Sequence, residues 1–182
     1  MAATSSRPLR LHHHAFVVND QEETRRFYEE VIGLPLVATY CEEEDFGTGP
    51  TPYCHTFFEL ENGACLAFFQ FADPAHVKRF GLAEPPSPFD HVALLATVDL
   101  QAKVETRARE AGVSCMTIDH GYCTSLYLRD PDGLMIELVI DCPEALADDA
   151  GRRAKAHETL ERWLGGDHST NNIYRSRPLN SE

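Results

Sequence analysis

The sequence predicts an α+β protein built from two copies of one unit, each reading strand, helix, strand, strand, strand. Three observations predict this fold. Apolar runs and turn residues recur in the same order in both halves of the chain. A histidine stands in the first strand of each half. Finally, Glu137 lies inside an otherwise apolar strand, where a carboxylate needs a charged partner or a metal ion.

The first unit is predicted over residues 10–72, from apolar alternation, helix caps and turn residues. Its elements are a strand over 11–18, a helix over 22–32 capped by Asn19-Asp20, a short strand over 36–40, and a hairpin of strands 53–60 and 64–71 around Glu61-Asn62-Gly63. The acidic stretch 42–50 is interpreted as a loop. Residues 1–9 are small and polar, and they are predicted to be a disordered N-terminus.

The second unit is predicted over residues 89–142, after a proline-rich linker at 73–88. Its elements are a strand over 89–95, a helix from the cap Asp99 to Gly112, a strand over 113–118, and a hairpin of strands 125–128 and 134–140. The hairpin turn is Asp130-Pro131-Asp132-Gly133, in which proline presets φ and glycine takes the positive φ. Residues 143–182 follow the repeat as a C-terminal helix over 144–164 and an extended tail.

Composition excludes several classes of partner. The formal net charge of −13 over 182 residues argues against binding to a nucleic-acid backbone, since no basic face is available. The six cysteines form no Cys-x-x-Cys pair, which favours reduced thiols. The chain shows neither a signal peptide nor an apolar run long enough to span a bilayer. These features predict a cytoplasmic protein with no membrane partner.

Superposing the two halves on their turn glycines, Gly63 and Gly133, aligns a set of polar residues. His13 and His91 then occupy equivalent places in the two first strands. Glu137 lies four residues after its turn glycine, and its counterpart in the first half is Ala67. Alternation along the strand places His12 and His14 on the opposite face from His13, although a slip of one residue would reverse that choice.

Two histidines and one carboxylate, with open positions opposite them, form the ligand set of non-haem Fe(II) enzymes that bind substrate and dioxygen together. A centre with four protein ligands would instead suit a metal that acts only as a Lewis acid. Gln70 would be a fourth ligand, through its amide oxygen, if the first hairpin carries a bulge. The residues alone leave both centres open.

The doubled unit, its first-strand histidines and the Asp-Pro-Asp-Gly turn before a strand glutamate resemble the vicinal oxygen chelate superfamily. This superfamily includes glyoxalase I, fosfomycin-resistance proteins, methylmalonyl-CoA epimerase and type I extradiol ring-cleavage dioxygenases. The resemblance covers roughly residues 10–142. It implies paired βαβββ modules that form a curved mixed sheet around a metal cavity, and it implies a homodimer.

Within this region, residues 118–137 are similar to the extradiol dioxygenase signature. The matching residues are His120, Leu126-Tyr127, Asp130-Pro131, Gly133 and Glu137. By this resemblance, His13, His91 and Glu137 would be Fe(II) ligands, while His120 and Tyr127 would touch the catecholate oxygens and the bound oxygen. The family's further catalytic histidine lies on the last strand of the first half. Residues 64–71 contain none, and the nearest candidate is His55 on the preceding strand.

The resemblance implies an Fe(II) extradiol-type dioxygenase that acts on a catechol-like aromatic diol with dioxygen. One alternative is a redox-neutral glyoxalase-, epimerase- or lyase-type enzyme that uses Mn, Ni, Zn or Fe as a Lewis acid. A second alternative is a protein that binds a small molecule without turnover, such as a resistance protein. Consumption of oxygen separates the first possibility from the other two.

Overall fold

The computed structural model describes residues 7–47, 49–81, 87 and 89–175. In these residues the chain forms two four-stranded mixed sheets with accompanying helices, which confirms the predicted α+β fold. Most of the predicted disordered N-terminus, much of the predicted linker and the end of the tail lie outside the described residues.

The first sheet has the strand order β1-β4-β3-β2, with β1 parallel to β4 and the other pairs antiparallel. Helix α1 begins as an α-helix and continues as a π-helix. The elements are β1 (His13–Val17), α1 (Gln21–Arg25, then π-helical Arg26–Ile32), β2 (Leu36–Asp45), β3 (Pro50–Glu59) and β4 (Cys65–Phe71).

The second sheet repeats this topology in the order β5-β8-β7-β6, again with the first and last strands of the unit parallel. A short helix, α2, precedes it, and two helices follow it, which confirms the predicted C-terminal helix. The elements are α2 (Pro74–Phe80), β5 (His91–Leu95), α3 (Val98–Glu110), β6 (Cys115–Asp119), β7 (Cys123–Arg129), β8 (Met135–Asp141), α4 (Pro143–Ala147) and α5 (Asp149–Leu164).

The strand registers place the two first-strand histidines at equivalent positions. His13 pairs with Cys65 and His91 pairs with Met135, and each partner lies two residues after its turn glycine. Both glycines have positive φ, 75° for Gly63 and 87° for Gly133, as the predicted turns require. The superposition of the two halves is therefore confirmed.

Local signals explain where helix α1 begins and ends. The Asp20 carboxylate accepts hydrogen bonds from the backbone N–H groups of Glu22 and Glu23, at 2.7 and 3.0 Å, as an N-cap. Gly33, with φ of 95°, ends the helix, and its N–H donates to the Tyr28 carbonyl five residues earlier, at 2.9 Å. Phe27 and Tyr28, both in the π-helical part, are buried.

The two units share one hydrophobic core. Helices α1 and α3 contact each other, and the Arg107 guanidinium donates to the Ile32 carbonyl at the end of α1, at 2.9 Å. Fully buried residues from both sheets join this core, including Leu66 and Phe68 from the first and Leu126 and Ile136 from the second. Each sheet therefore turns one face to the helices, and its other face is called here the outer face.

Two sequence predictions are wrong in detail. The acidic stretch 42–50 is mostly strand, because β2 and β3 pair as far as Asp45 and Pro50. Helix α3 is capped by Thr97, whose hydroxyl accepts from the Leu100 N–H at 3.1 Å. Asp99 instead lies in the first turn of that helix. The predicted linker begins with α2, which Asp73 caps by accepting from the Ala75 N–H at 2.9 Å.

The turn between β7 and β8 is tied to the first unit through buried hydrogen bonds. The Asp130 carboxylate accepts from the Tyr28 hydroxyl at 3.0 Å and from the backbone N–H groups of Asp132 and Leu134. The Asp132 carboxylate accepts from the Asn19 N–H at 2.9 Å. Burial raises the pKa of Asp130 to about 6, and burial together with the Asp130 charge raises the pKa of Tyr28.

Candidate metal centre

His91 and Glu137 form a close pair on the outer face of the second sheet. His91 Nε2 lies 2.9 Å from Glu137 Oε2, and Glu137 is only 6% exposed. The other ring nitrogen, His91 Nδ1, lies 2.9 Å from the Phe89 carbonyl oxygen. A carbonyl only accepts, so Nδ1 carries the proton of this hydrogen bond. A neutral imidazole then turns the bare lone pair of Nε2 towards a carboxylate oxygen.

Two acceptor atoms at this distance need either a proton shared between the imidazole and the carboxyl group or a metal ion between them. Two donors in adjacent positions on one ion, each about 2.1 Å from it, lie about 3 Å apart, which matches the observed pair. A histidine that donates its other ring N–H to a backbone carbonyl is also the usual arrangement of a metal ligand. The donor set therefore fits a divalent metal.

Tyr127 and His120 extend this pair into a hydrogen-bonded chain. The Tyr127 hydroxyl donates to Glu137 Oε1 at 2.7 Å, and it lies 2.8 Å from His120 Nε2. The β7–β8 register explains the first contact, because Tyr127 and Glu137 are directly paired and face the same side. Burial, followed by the hydrogen bond to Glu137, raises the pKa of Tyr127 to about 12. Tyr127 therefore stays protonated at neutral pH.

A segment from the C-terminal tail supports His120 from behind. The Asn172 side-chain amide donates to the His120 backbone carbonyl at 2.9 Å. The Asn172 side-chain oxygen in turn accepts from the backbone N–H groups of Tyr174 and Arg175, each at 3.2 Å. The Tyr174 hydroxyl donates to Asp148 at 3.0 Å, which ties the segment to the junction of α4 and α5. Sequence reasoning missed Asn172, since no local pattern links residues 52 positions apart.

The remaining predicted site residues, His13 and His55, lie on the outer face of the first sheet. Their ring centroids are 6.4 Å apart, and the His55 ring stacks on Phe69 with centroids 3.6 Å apart. Burial, and next the neighbouring His13, lowers the pKa of His55. Within the described parts of the chain, His55 Nε2 is a buried atom with no hydrogen-bond partner.

The structure does not bring His13 together with His91 and Glu137. In residues 7–47, 49–81, 87 and 89–175, no three histidine, cysteine, aspartate or glutamate side chains gather as a metal site. Gln70 also faces away from His13, because its amide oxygen accepts from the Gln21 N–H at the start of α1, at 2.9 Å. A single chain thus presents two separate polar clusters, one on each outer face.

A family model for the glyoxalase/bleomycin resistance protein/dioxygenase superfamily matches residues 10–138. The chain belongs to this superfamily. The match spans both units and includes the candidate centre at His91, Tyr127 and Glu137. Members of this superfamily include metal-dependent enzymes and bind divalent metals and small-molecule substrates. No curated protein sequence matches the chain significantly.

Solved structures share the superfamily fold at low sequence identity. A glyoxylase/bleomycin resistance protein/dioxygenase domain from Frankia sp. EAN1pec has a TM-score of 0.57 and 17% identity, covering 75% of this chain and 100% of that one. The fosfomycin resistance protein FosX from Listeria monocytogenes, complexed with Mn(II) and sulfate, has a TM-score of 0.54 and 17% identity, covering 78% and 99%. The oxidase ChaP-H2 has a TM-score of 0.51 and 19% identity, covering 74% and 94%.

The helices carry no sign of a membrane segment. Among the described residues, none of them combines the length and the apolar character needed to cross a bilayer.

The contact between the tail and the His120 loop can be tested at Gly121. A Cβ added there would overlap the Tyr174 carbonyl and the Arg175 N–H, and the φ of +80° itself disfavours alanine. We expect Gly121→Ala to displace residues 172–175, measured as faster hydrogen exchange of those amides. Gly112→Ala is the matched control, because that glycine also has positive φ but open space around it. Equal exchange in both variants would contradict the assignment.

Proposed function

We propose that this chain is a metal-dependent enzyme, an Fe(II) extradiol-type dioxygenase that acts on a catechol-like aromatic diol. The observation that carries the metal centre is the pair of His91 Nε2 and Glu137 Oε2 at 2.9 Å, with the His91 proton directed to the Phe89 carbonyl. The chemistry that Fe(II) supplies at centres with two histidines and one carboxylate is the joint binding of substrate and dioxygen.

The hydrogen bonds that run from Glu137 through Tyr127 to His120 support proton transfer at the proposed site. Tyr127 has one hydroxyl proton, which it directs to Glu137, so its oxygen accepts from His120 Nε2–H. A substrate oxygen beside Glu137 would be within reach of the same hydroxyl. Tyr127 would orient that oxygen by donating its proton to it in place of Glu137, and His120 would return a proton to the Tyr127 oxygen from its Nε2–H, a role suited to an imidazole. Asn172 would hold the His120 backbone in place.

We infer that His13 is the third ligand and that a second copy of the chain supplies it. Each chain carries two partial sites on separate outer faces, one with His91 and Glu137 and one with His13. A twofold pair of chains would bring each partial site against its complement and create two equivalent centres. The proposed assembly is therefore a homodimer.

A redox-neutral enzyme is the second candidate, and the position of His55 favours it. Strand β4 has no histidine. The His55 ring stacks on Phe69 and its Nε2 atom is buried, so within a single chain His55 does not occupy a catalytic position. FosX, a protein of the same fold, is a Mn(II) complex. In this candidate, His91 and Glu137 would bind a metal that acts as a Lewis acid in a lyase, epimerase or isomerase reaction.

Oxygen uptake distinguishes the two candidates. Protein purified without oxygen and loaded with Fe(II) is expected to consume dioxygen with one or more members of a panel of catechols. Loading with Mn, Ni or Zn is the matched control. An Fe(II)-loaded sample that consumes no oxygen with any catechol would contradict the dioxygenase and favour the redox-neutral enzyme.

Mixing two inactive variants tests the shared centre in the same assay. His13→Ala and Glu137→Ala should each abolish turnover alone. When they are refolded together, about one quarter of all centres should contain only native ligands, because half of the dimers are mixed and each has one intact centre. If His13 acts within its own chain, mixing restores nothing.

A further inference from the structure

Five aromatic rings enclose a cavity of about 260 Å³ at one end of the first sheet. This group, called here the aromatic cup, comprises Phe46, Tyr53, Phe69, Phe71 and Phe80. Neighbouring rings meet at centroid distances of 5.5 Å for Tyr53 and Phe69, 5.6 Å for Phe71 and Phe80, and 5.7 Å for Phe46 and Phe80. Tyr53 and Phe69 meet edge to face, the other two pairs are tilted, and the space between the rings is open.

The aromatic cup is continuous with the histidine cluster of the first sheet. Phe69 is the ring on which His55 stacks, and the same residue lines the cavity. Val17 is the residue of β1 that lines the cavity, and it pairs directly with Phe69 in the strand register. Val17 lies four residues after His13, so alternation turns both side chains to the outer face. The cup thus begins about 13 Å along the strand from the proposed ligand.

The charges that line the aromatic cup disfavour an anionic ligand. Glu44 is the charged side chain in the lining, and the Tyr53 hydroxyl donates to a second carboxylate, Glu42, at 3.1 Å. A cation lies beside the cup but not in its lining, since the guanidinium carbon of Arg79 is 4.8 Å from the centre of the Phe80 ring. Burial, and next the hydrogen bond to Glu42, raises the pKa of Tyr53, so its phenol stays neutral. A carboxylate or phosphate placed among these groups would meet repulsion that no lining side chain offsets.

The cavity is large enough to hold an aromatic ring of a ligand. An apolar cavity of about 150 Å³ already accommodates benzene, and the aromatic cup is larger. Its rim residues Phe46 and Phe80 are 36% and 38% exposed, so their rings are accessible to a ligand that enters the cavity. Aromatic walls also give edge and stacking contacts to a bound ring beyond simple area burial.

We propose that the aromatic cup binds a second, uncharged ring of the substrate, so that the enzyme prefers extended aromatic diols over catechol. This inference rests on the proposed function, since a diol held between His13 and Glu137 would extend along β1 towards Phe69. The cup then sets specificity, and its residues contact the part of the substrate that does not react.

Direct binding to the full-length protein tests the aromatic cup without turnover. The probes are 1-naphthylmethanol, which is neutral, and 1-naphthoate, which is anionic, measured by titration calorimetry. We expect naphthylmethanol to bind at least tenfold more tightly than naphthoate. Phe80→Ala should weaken naphthylmethanol at least fivefold, whereas Leu160→Ala, at an exposed leucine of α5, should leave its affinity unchanged. Glu44→Gln should narrow the gap between the two probes.

Equal binding of the two probes, or no loss in Phe80→Ala and Phe46→Ala, would overturn the proposal. Both residues are partly exposed, so the variants are expected to fold, and circular dichroism verifies this. A kinetic arm then compares 4-phenylcatechol, whose second ring lies further from the diol, with catechol. Oxygen uptake with a KM for 4-phenylcatechol no lower than for catechol would contradict the role of the cup and leave the dioxygenase supported. If the probes bind as expected but no oxygen is consumed, the cup is still supported as a binding site for an aromatic ring, and the dioxygenase is contradicted.

Discussion

Replacing Glu137 by alanine is expected to weaken metal binding by more than about 100-fold, since even substitutions that only orient a ligand cost 10- to 100-fold. The variant removes the one buried carboxylate oxygen facing His91 Nε2 and leaves that nitrogen without a counterpart. The measurement is the metal content of anaerobically purified protein. Glu137→Ala with full metal occupancy would show that the ligand assignment is wrong.

Tyr127→Phe is the matched control for this experiment. It removes only the hydroxyl that donates to Glu137 and lies beside His120, so metal content should stay within about tenfold while turnover is lost. Loss of metal in both variants to the same extent would instead indicate that the whole outer face had rearranged. Thermal unfolding of each variant separates that outcome from a local effect.

Asp130→Ala is expected to lower the free energy of unfolding by about 3 kcal/mol at pH 5, because unpaired buried donors cost about 1–3 kcal/mol each. The carboxylate accepts from the Tyr28 hydroxyl and from two turn N–H groups, and the whole arrangement links the two units. Denaturant unfolding measures the effect. Asp132→Ala is the control, since the Asp132 carboxylate serves Asn19 at a more exposed position and should cost less. Equal losses would contradict a special role for the buried carboxylate.

The same residue should give stability a distinct pH dependence. The folded pKa of Asp130 is raised to about 6, above the ordinary value near 4, so folding favours its protonated form. Its stabilising contribution is therefore fully present below about pH 4 and is lost as the pH rises through about 6. Relative to Asp130→Asn, the native protein should lose about 3 kcal/mol between pH 4 and pH 7. A flat difference between the two proteins would contradict the raised pKa.

Local signals account for the parts of the fold that the sequence predicted. Asp20 and Gly33 mark the ends of α1 because a cap and a positive φ are properties of single positions. The acidic end of β2 and the start of β3 do not follow from the sequence, because the polar end of this hairpin has no apolar alternation. Pairing from Glu42 to Asp45 comes from the partner strand, which no window of neighbouring residues contains.

The residues of the candidate site likewise fall into those that local sequence predicts and those that depend on tertiary packing. Tyr127, Glu137 and His120 come together because one tight turn fixes the register of the strands on either side of it. The place of His13 depends instead on how the two units pack through their helices, and that packing is a property of the whole core. Asn172 reaches His120 only after the chain has passed through two further helices.

The π-helical winding of α1 has a consequence for the comparison of relatives. Tyr28 reaches Asp130 from a helix that holds one residue more per turn than an ordinary one between Tyr28 and Gly33. Deleting a single amino acid from 29–32 would let the same turn close over four residues instead of five, as in a regular helix, and Tyr28 would keep its direction towards Asp130. An alignment gap of one position in 29–32 is therefore expected to leave the tyrosine and its acidic partner in place.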